Sequence, residues 1–293
     1  MSAPSERSEP TESATEAVDW DGTPSTAATL GRLVRRELST ALRIRTYVGL
    51  WFGFVGVLLG IAWFGGGVRT GYVSTIIDLL TPLELLVPVV AFAFGYRAIL
   101  DDERRGVLDV LRTYPLPSWQ VVVGVYLGRA IGLVAVVSTT LSFLMFPIFV
   151  TERYRPVFYA THTGPDSPGL FLRFIVLTVG FALVVLAVSI AISALVSTTR
   201  TAIVAVGLAL FVLLFLADIS LVFGLARGVF EASSLVNSLA FSPLSAYRGL
   251  VLETTVAVTA GTGPRTASPI ASFLGLCVWW LGSLVLATVA IRQ

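Results

Sequence analysis

Lysine is absent from this 293-residue chain: all twenty basic residues are arginine. A G-x-x-x-x-G-K-[ST] phosphate loop needs its lysine to reach the nucleotide phosphates, so an ordinary ATP site is excluded from this chain. Schiff-base catalysis is excluded on the same ground. One histidine, His162, cannot make an H-E-x-x-H zinc site. The single cysteine, Cys277, cannot form an internal disulfide, and in its apolar run it reads as a small packed side chain. With two methionines besides, the chain cannot build a dense relay of soft-metal ligands by itself. Charge is scarce too: 13% of residues are charged against 55% hydrophobic, with a mean hydropathy of +0.86. A soluble domain of this size needs a more charged surface, so the composition is that of a membrane protein.

Long apolar runs are what the sequence has in abundance. Six are expected to span a bilayer, at about 46–64, 82–99, 119–146, 170–196, 201–224 and 270–291. The expected fold class is therefore an all-α membrane protein of six transmembrane helices. An even number of spans places both termini on one side. Segments on that side hold 11 arginines, whereas the longer opposite loops hold 6. By the positive-inside rule both termini are expected in the cytoplasm, with the chain multi-pass in the cell membrane.

Residues 1–27 carry six acidic residues and one arginine in a Ser/Thr/Pro/Glu-rich setting. They read as a disordered cytoplasmic tail; no basic start precedes an apolar core, so no signal peptide is expected. Residues 28–293 form the membrane domain. Just before the first span, Leu30, Leu33, Val34, Leu38, Ala41 and Leu42 share one helical face, and arginines, among them Arg32, Arg35 and Arg36, surround the other. This is an amphipathic elbow helix lying in the interface, or simply a topology-setting basic segment.

Two glycine stripes stand out. Gly49, Gly53, Gly56 and Gly60 lie on one face of the first span, and Gly124, Gly128 and Gly132 on one face of the third. Such stripes let helices approach closely, either within one subunit or between two copies. Charges inside the apolar runs are fewer. In "TPLE", Thr81 reads as an N-cap, Pro82 as the first helical residue and Glu84 as a capping-box partner. Asp218 in "FLADIS" has no such role and belongs either to a polar pathway or to an interfacial pair. Arg129 and Arg173 are placed to snorkel.

The greatest concentration of charge follows the second span, in "YRAILDDERRGVLDVLRTYPLPSW", with eight charges between Arg97 and Arg112. Within it Val107, Val110, Leu111 and Tyr114 share a face, with Arg104, Arg105, Asp109 and Arg112 turned away from it. "PLPS" then stops the helix, and Ser118 is placed to cap the third span. A short amphipathic helix so closely tied to two spans moves with them when gripped from the cytoplasm. A solvated, topology-setting loop is the plainer alternative.

These residues resemble the intracellular segment of ABC type-2 transporter permeases, roughly E-R-x-x-G-T-L-x-x-L-L-x-x-P-x-S-R followed by G-K. Glu103, Arg104, Gly106, Leu108, Leu111, Pro115, Ser118 and Gly124 match; Val107, Trp119 and Val125 replace threonine, arginine and lysine. "FSPLSAYRGLVL" is similar to the family's N-P-x-x-A-Y-R segment, with Pro243, Ala246, Tyr247 and Arg248 in agreement and Ser242 in place of asparagine. It also reads as an outer helix capped by Ser242. The pattern is most similar to permeases associated with nitrous oxide reductase maturation, often described as copper-related. The resemblance implies a non-catalytic exporter subunit working as a homodimer with two copies of a separate ATPase, which would bind ATP and magnesium. It implies ATPase coupling through Glu103, Arg104, Arg105, Gly106, Leu108, Leu111, Pro115 and Ser118, together with the elbow. It gives no cofactor, metal ligand or substrate-binding residue on this chain, and no nucleic-acid partner.

The rival reading is an ATPase-independent secondary transporter or channel, which needs ionisable residues at a midplane site and broken helices in related halves. Asp218 alone hints at this, and no internal repeat is visible. An intramembrane enzyme finds its only histidine in a predicted outer loop. Two measurements check this reading. Cysteines at 160–166 are expected to label from outside and those at 101–105 only from inside; the reverse pattern would overturn the topology. Deleting residues 2–27 is expected to leave membrane insertion unchanged in a fractionation assay.

Overall fold

The structure is a computed structural model. It describes residues 31–36 except 33, and residues 45–106, 117–152, 166–216, 239–260 and 267–292, with isolated positions at Ile219 and Phe223. The acidic tail, His162, Asp218 and the motif residues Leu108, Leu111 and Pro115 lie outside the described residues.

Among the described residues the architecture is all-helical, and five helices are long and apolar enough to cross a membrane. They are α1 (Arg45–Gly65), α3 (Tyr72–Gly95), α5 (Ser118–Glu152), α6 (Pro168–Leu195) and α10 (Pro269–Arg292). Short elements complete the set: α2 (Gly67–Thr70), α4 (Leu100–Arg104), α7 (Thr199–Phe211), α8 (Pro243–Val251) and α9 (Ala257–Ala260). α7 continues as a π turn over Val212–Leu216, and another π turn, Leu252–Val256, joins α8 to α9. The expected span at 201–224 is thus seen as a shorter apolar helix whose continuation is not described. We call the end that holds α4 and Thr199 the near end, and the end that holds α2 and Ala267 the far end.

α6 is the hub, packed against α10, α3, α5 and α8, whereas α1 and α10 are peripheral. On α5, Leu133, Val137, Leu141, Leu144 and Ile148 recur every three or four residues and are fully buried. They meet Leu79, Leu83 and Val87 of α3 and Phe171, Phe174 and Phe181 of α6 in one core. Helices that are apolar all round, as these are, give no polar face to mark which side is buried. Small residues decide it instead. A Cβ on Gly95 of α3 would lie 2.5 Å from Ser189 Oγ on α6, and one on Gly132 of α5 would lie 3.0 Å from the Phe94 ring. The third-span stripe therefore serves packing within the chain, with Gly124 and Gly128 also buried. Among the described residues the first-span stripe does not: a Cβ at Gly49, Gly53, Gly56 or Gly60 would meet nothing there within 4 Å.

At the far end, α1 turns into α3 through two glycines with positive φ, Gly66 at 88° and Gly71 at 133°. Asp78 accepts a hydrogen bond from the Gly67 amide at 2.9 Å, so tightly that a Cβ at residue 67 would lie 2.5 Å from its carboxylate. The start of α3 is capped from the segment just before α6: the Asp166 carboxylate accepts from the amides of Tyr72 (3.1 Å) and Val73 (3.0 Å). α3 begins well before the apolar run that announced it and passes unbroken through Thr81, Pro82 and Glu84. The expected helix start at Thr81 is corrected accordingly: both Pro82 and Pro88 are interior, and Glu84 is no capping residue.

Replacing Gly95 with alanine is expected to force α3 and α6 apart and to destabilise the bundle by about 1–3 kcal/mol. Gly56→Ala is expected to leave protomer stability unchanged. Thermal unfolding of the two variants in detergent measures the difference.

Candidate functional site

Two places concentrate polar contacts between helices, one at the near end and one at the far end. The near-end site is built around a break in the backbone. Helix α3 stops after Gly95, and Ala98 donates to the Gly95 carbonyl rather than to that of Phe94. Phe94 C=O is therefore left without its helical donor, and so are the amides of Ile99 and Leu100 without helical acceptors. In an apolar surrounding each unsatisfied group is costly. Side chains from two other spans supply what is missing. Arg129, about 16 Å along α5 from Ser118, donates to Phe94 O at 3.2 Å. Ser193 Oγ of α6 accepts from both Ile99 N (3.1 Å) and Leu100 N (3.2 Å). Ser189, four residues earlier on the same face of α6, donates to Phe92 O.

Beyond the joint, α4 is tied outward as well. Asp102 is buried and receives Arg36 of the elbow segment at 2.6 Å. Arg97 pairs with Asp101 one turn on, at 3.1 Å. Arg104 donates to Thr199 Oγ1 at 2.6 Å, just inside the start of α7. That start is a capping box: Thr198 Oγ1 accepts from Thr201 N, and Thr201 Oγ1 accepts from Thr198 N. The structure thus brings the expected coupling residue Arg104 and the elbow residue Arg36 onto one short helix. Glu103 and Arg105 are exposed, Gly106 takes a positive φ of 68° that ends the helix, and Ser118 opens α5. Arg32 and Arg35 lie in helical backbone with exposed side chains.

The far-end site is the "FSPLSAYRG" motif. A 3₁₀ turn at Leu239–Phe241 lies beside α10, six to ten residues from that helix's far-end start, or roughly 9–15 Å along it. A Cβ at Gly275 would lie 2.2 Å from the Ala240 carbonyl, and Trp279 Nε1 donates to Phe241 O at 2.9 Å. From there α8 runs back toward the far end, where Gly249 approaches Ala267 and Ser272 and Glu253 accepts from Ala267 N at 3.1 Å. Because it begins part-way along α10 and returns to the far end, we call this the re-entrant segment. Ser242 caps it through Ser245 N, and Pro243 takes the first helical position, as the sequence predicts.

Each motif residue has a distinct contact. Ala246 is fully buried, its small side chain suited to a closely packed helix. Tyr247 is fully buried, its ring stacked on Phe181 with centroids 4.6 Å apart and its hydroxyl 2.9 Å from Thr178 Oγ1. Arg248 crosses to α3 and grips the Glu84 carboxylate with two nitrogens, Nε at 2.6 Å and Nη2. The Glu84 residue is 3% exposed. Removing one partner of a buried pair costs about 3–5 kcal/mol, because the other charge is stranded; the half-exposed Arg248 side chain moderates that figure.

Sequence reasoning misread Glu84 and missed Ser193, Thr199, Asp166 and Thr178. Two prolines bracketing a carboxylate, and serines four apart in an otherwise apolar helix, were the signals present. Among the described residues no three His, Cys, Asp or Glu side chains gather where a metal ion would bind.

The matched family model is described as "ABC-2 family transporter protein" and covers residues 7–292. The chain belongs to the ABC-2 family. Among curated relatives, the "Probable ABC transporter permease protein NosY" of Pseudomonas aeruginosa is 30% identical over 270 residues, 87% of this chain and 94% of that protein. A protein of the same name from Stutzerimonas stutzeri is 32% identical over 116 residues, 38% of this chain and 41% of that protein. This ABC-2 chain is a multi-pass membrane protein and a permease component of an ABC transporter, and membership implies an ABC ATPase as its partner.

In this ABC-2 protein Ser193→Ala is expected to leave two buried amides without an acceptor, at a cost of about 1–3 kcal/mol. Faster amide exchange at residues 99 and 100, with a lowered melting temperature in detergent, is the expected readout.

Proposed function

We propose that the chain is the non-catalytic, membrane-spanning subunit of an ATP-driven exporter, and that its near end is cytoplasmic. One observation carries the reading. The short helix α4 is joined to the elbow by Arg36–Asp102, to α6 by Ser193 and to α7 by Arg104–Thr199. A push on α4 is thereby delivered to four parts of the bundle at once, since α3 leads directly into it. This is what coupling to an external motor requires: one handle and a bundle that shifts between two packings. The absence of lysine agrees, because nucleotide chemistry must come from another chain.

Within that handle Glu103 and Arg105, both exposed, are the docking residues, together with the 107–118 segment, whose Leu108, Leu111 and Pro115 match the family pattern. Arg104 has a different part, holding α4 against α7. A second copy of the chain completes the transporter. The outward glycine face of α1 supports that assembly, since nothing among the described residues packs against it. Export, rather than import, follows the family resemblance, and the cargo is held mainly by other proteins, given so few soft ligands here.

The ATPase-independent reading draws on one observation, the Glu84–Arg248 pair at membrane depth. The two charges neutralise each other through a forked contact, which suits a clamp better than an ion relay.

Affinity purification in mild detergent is expected to recover a stoichiometric P-loop ATPase, and Glu103→Lys is expected to reduce that recovery several-fold without changing the melting temperature. A reproducible ATPase-free oligomer would defeat the proposal in favour of a secondary transporter.

A further inference from the structure

Of the described ion pairs, Glu84–Arg248 has the most enclosed carboxylate, and the ATPase-coupling role assigned above makes no use of it. Two membrane helices are held together by packing of small apolar residues without any desolvation cost. A buried charge pair between them therefore needs a reason.

Its place along α3 gives one. Pro82 and Pro88 lie inside the helix and bracket Glu84. Neither has an amide hydrogen, so the carbonyls of Asp78 and Glu84 lose their helical donors. Residues 78–88 are consequently the stretch of α3 least resistant to bending. At its near end α3 leads through the joint into α4, the proposed handle. A displacement entering there would be absorbed as a bend at the prolines unless something braced the helix at that level. Arg248 is that brace. It grips α3 between the prolines, two residues after Pro82 and four before Pro88, with a planar fork that fixes orientation as well as distance. The helix bearing it is itself firmly seated: Tyr247 stacks on Phe181, Gly249 abuts Ala267, and the turn before it is pinned to Gly275 and Trp279.

We propose that Glu84–Arg248 is a mechanical clamp that joins the proline-weakened middle of α3 to the re-entrant helix, so that movement at residues 100–104 reaches residues 243–260 at the opposite face. The inference rests on the ATP-driven reading above and adds to it a required contact inside the membrane. Arg248 and Glu84 are positioning residues in this scheme; neither meets nucleotide.

The test uses the chain purified with its ATPase, in a Cys277→Ala background, bearing one environment-sensitive fluorophore at Ser197→Cys or at Val258→Cys. Both positions are exposed, one between α6 and α7 at the near end and one on α9. With the clamp intact, ATP is expected to change the signal at both. In Arg248→Lys, which keeps the charge and loses the fork, the response at 197 is expected to persist and that at 258 to fall several-fold. Glu84→Gln is expected to do the same. Adding Pro88→Ala, which restores a helix bond, is expected to recover the response at 258, an effect that a purely folding role for the pair would not produce. An unchanged response at 258 in Arg248→Lys, or a loss that Pro88→Ala leaves in place, would overturn the clamp. A response at 197 but none at 258 with the clamp intact overturns it too, leaving the ATP-driven reading standing. No ATP response at 197 removes that reading, and the clamp with it.

Discussion

Backbone groups that water cannot reach must be satisfied by the protein itself, and the architecture of this chain follows from that constraint. Within an unbroken helix the demand is met locally. At several of the places where a helix ends or breaks, a side chain from elsewhere in the chain meets it. Asp166 receives the first amides of α3, and Asp78 receives that of Gly67. Arg129 and Ser193 serve the break after Gly95. Trp279 and Glu253 hold the two ends of the re-entrant segment. The scarce polar residues of an apolar chain are therefore concentrated at discontinuities, and those discontinuities are where the elements are tied together.

The two ends of the bundle use this economy differently. At the near end, the arginines surrounding α4 are partly exposed, so their pairs are more open to screening by solvent. That suits the handle proposed for α4. At the far end, Tyr247 and the carboxylate of Glu84 are enclosed, and their contacts are directional. That suits the receiving end of the proposed clamp. α6 stands between them, contributing Ser189 and Ser193 to one end and Thr178 and Phe181 to the other. A single helix so placed makes the core one mechanical unit, while α1 and α7 remain at its edge with most of their side chains unburied.

The sequence by itself determined the environment, most of the helices and the family. Those are properties of composition and run length: apolar residues in sufficient number can be stable only in lipid, and a lysine-free chain cannot carry a P-loop. It also determined the local start of α8, because Ser242 and Pro243 act on their own backbone. Tertiary structure alone decided what the polar residues inside the runs do. "TPLE" has the local chemistry of a helix start, yet the backbone passes straight through it, since Glu84 finds its partner 164 residues away. Likewise nothing near Ser193 or Asp166 announces the distant amides they serve, and the two glycine stripes are alike in sequence but opposite in use. Helix formation is a short-range matter of spacing and capping. Which face is buried, and which charge meets which, depends on contacts between residues far apart in the chain, and in helices apolar on every side no periodicity records them.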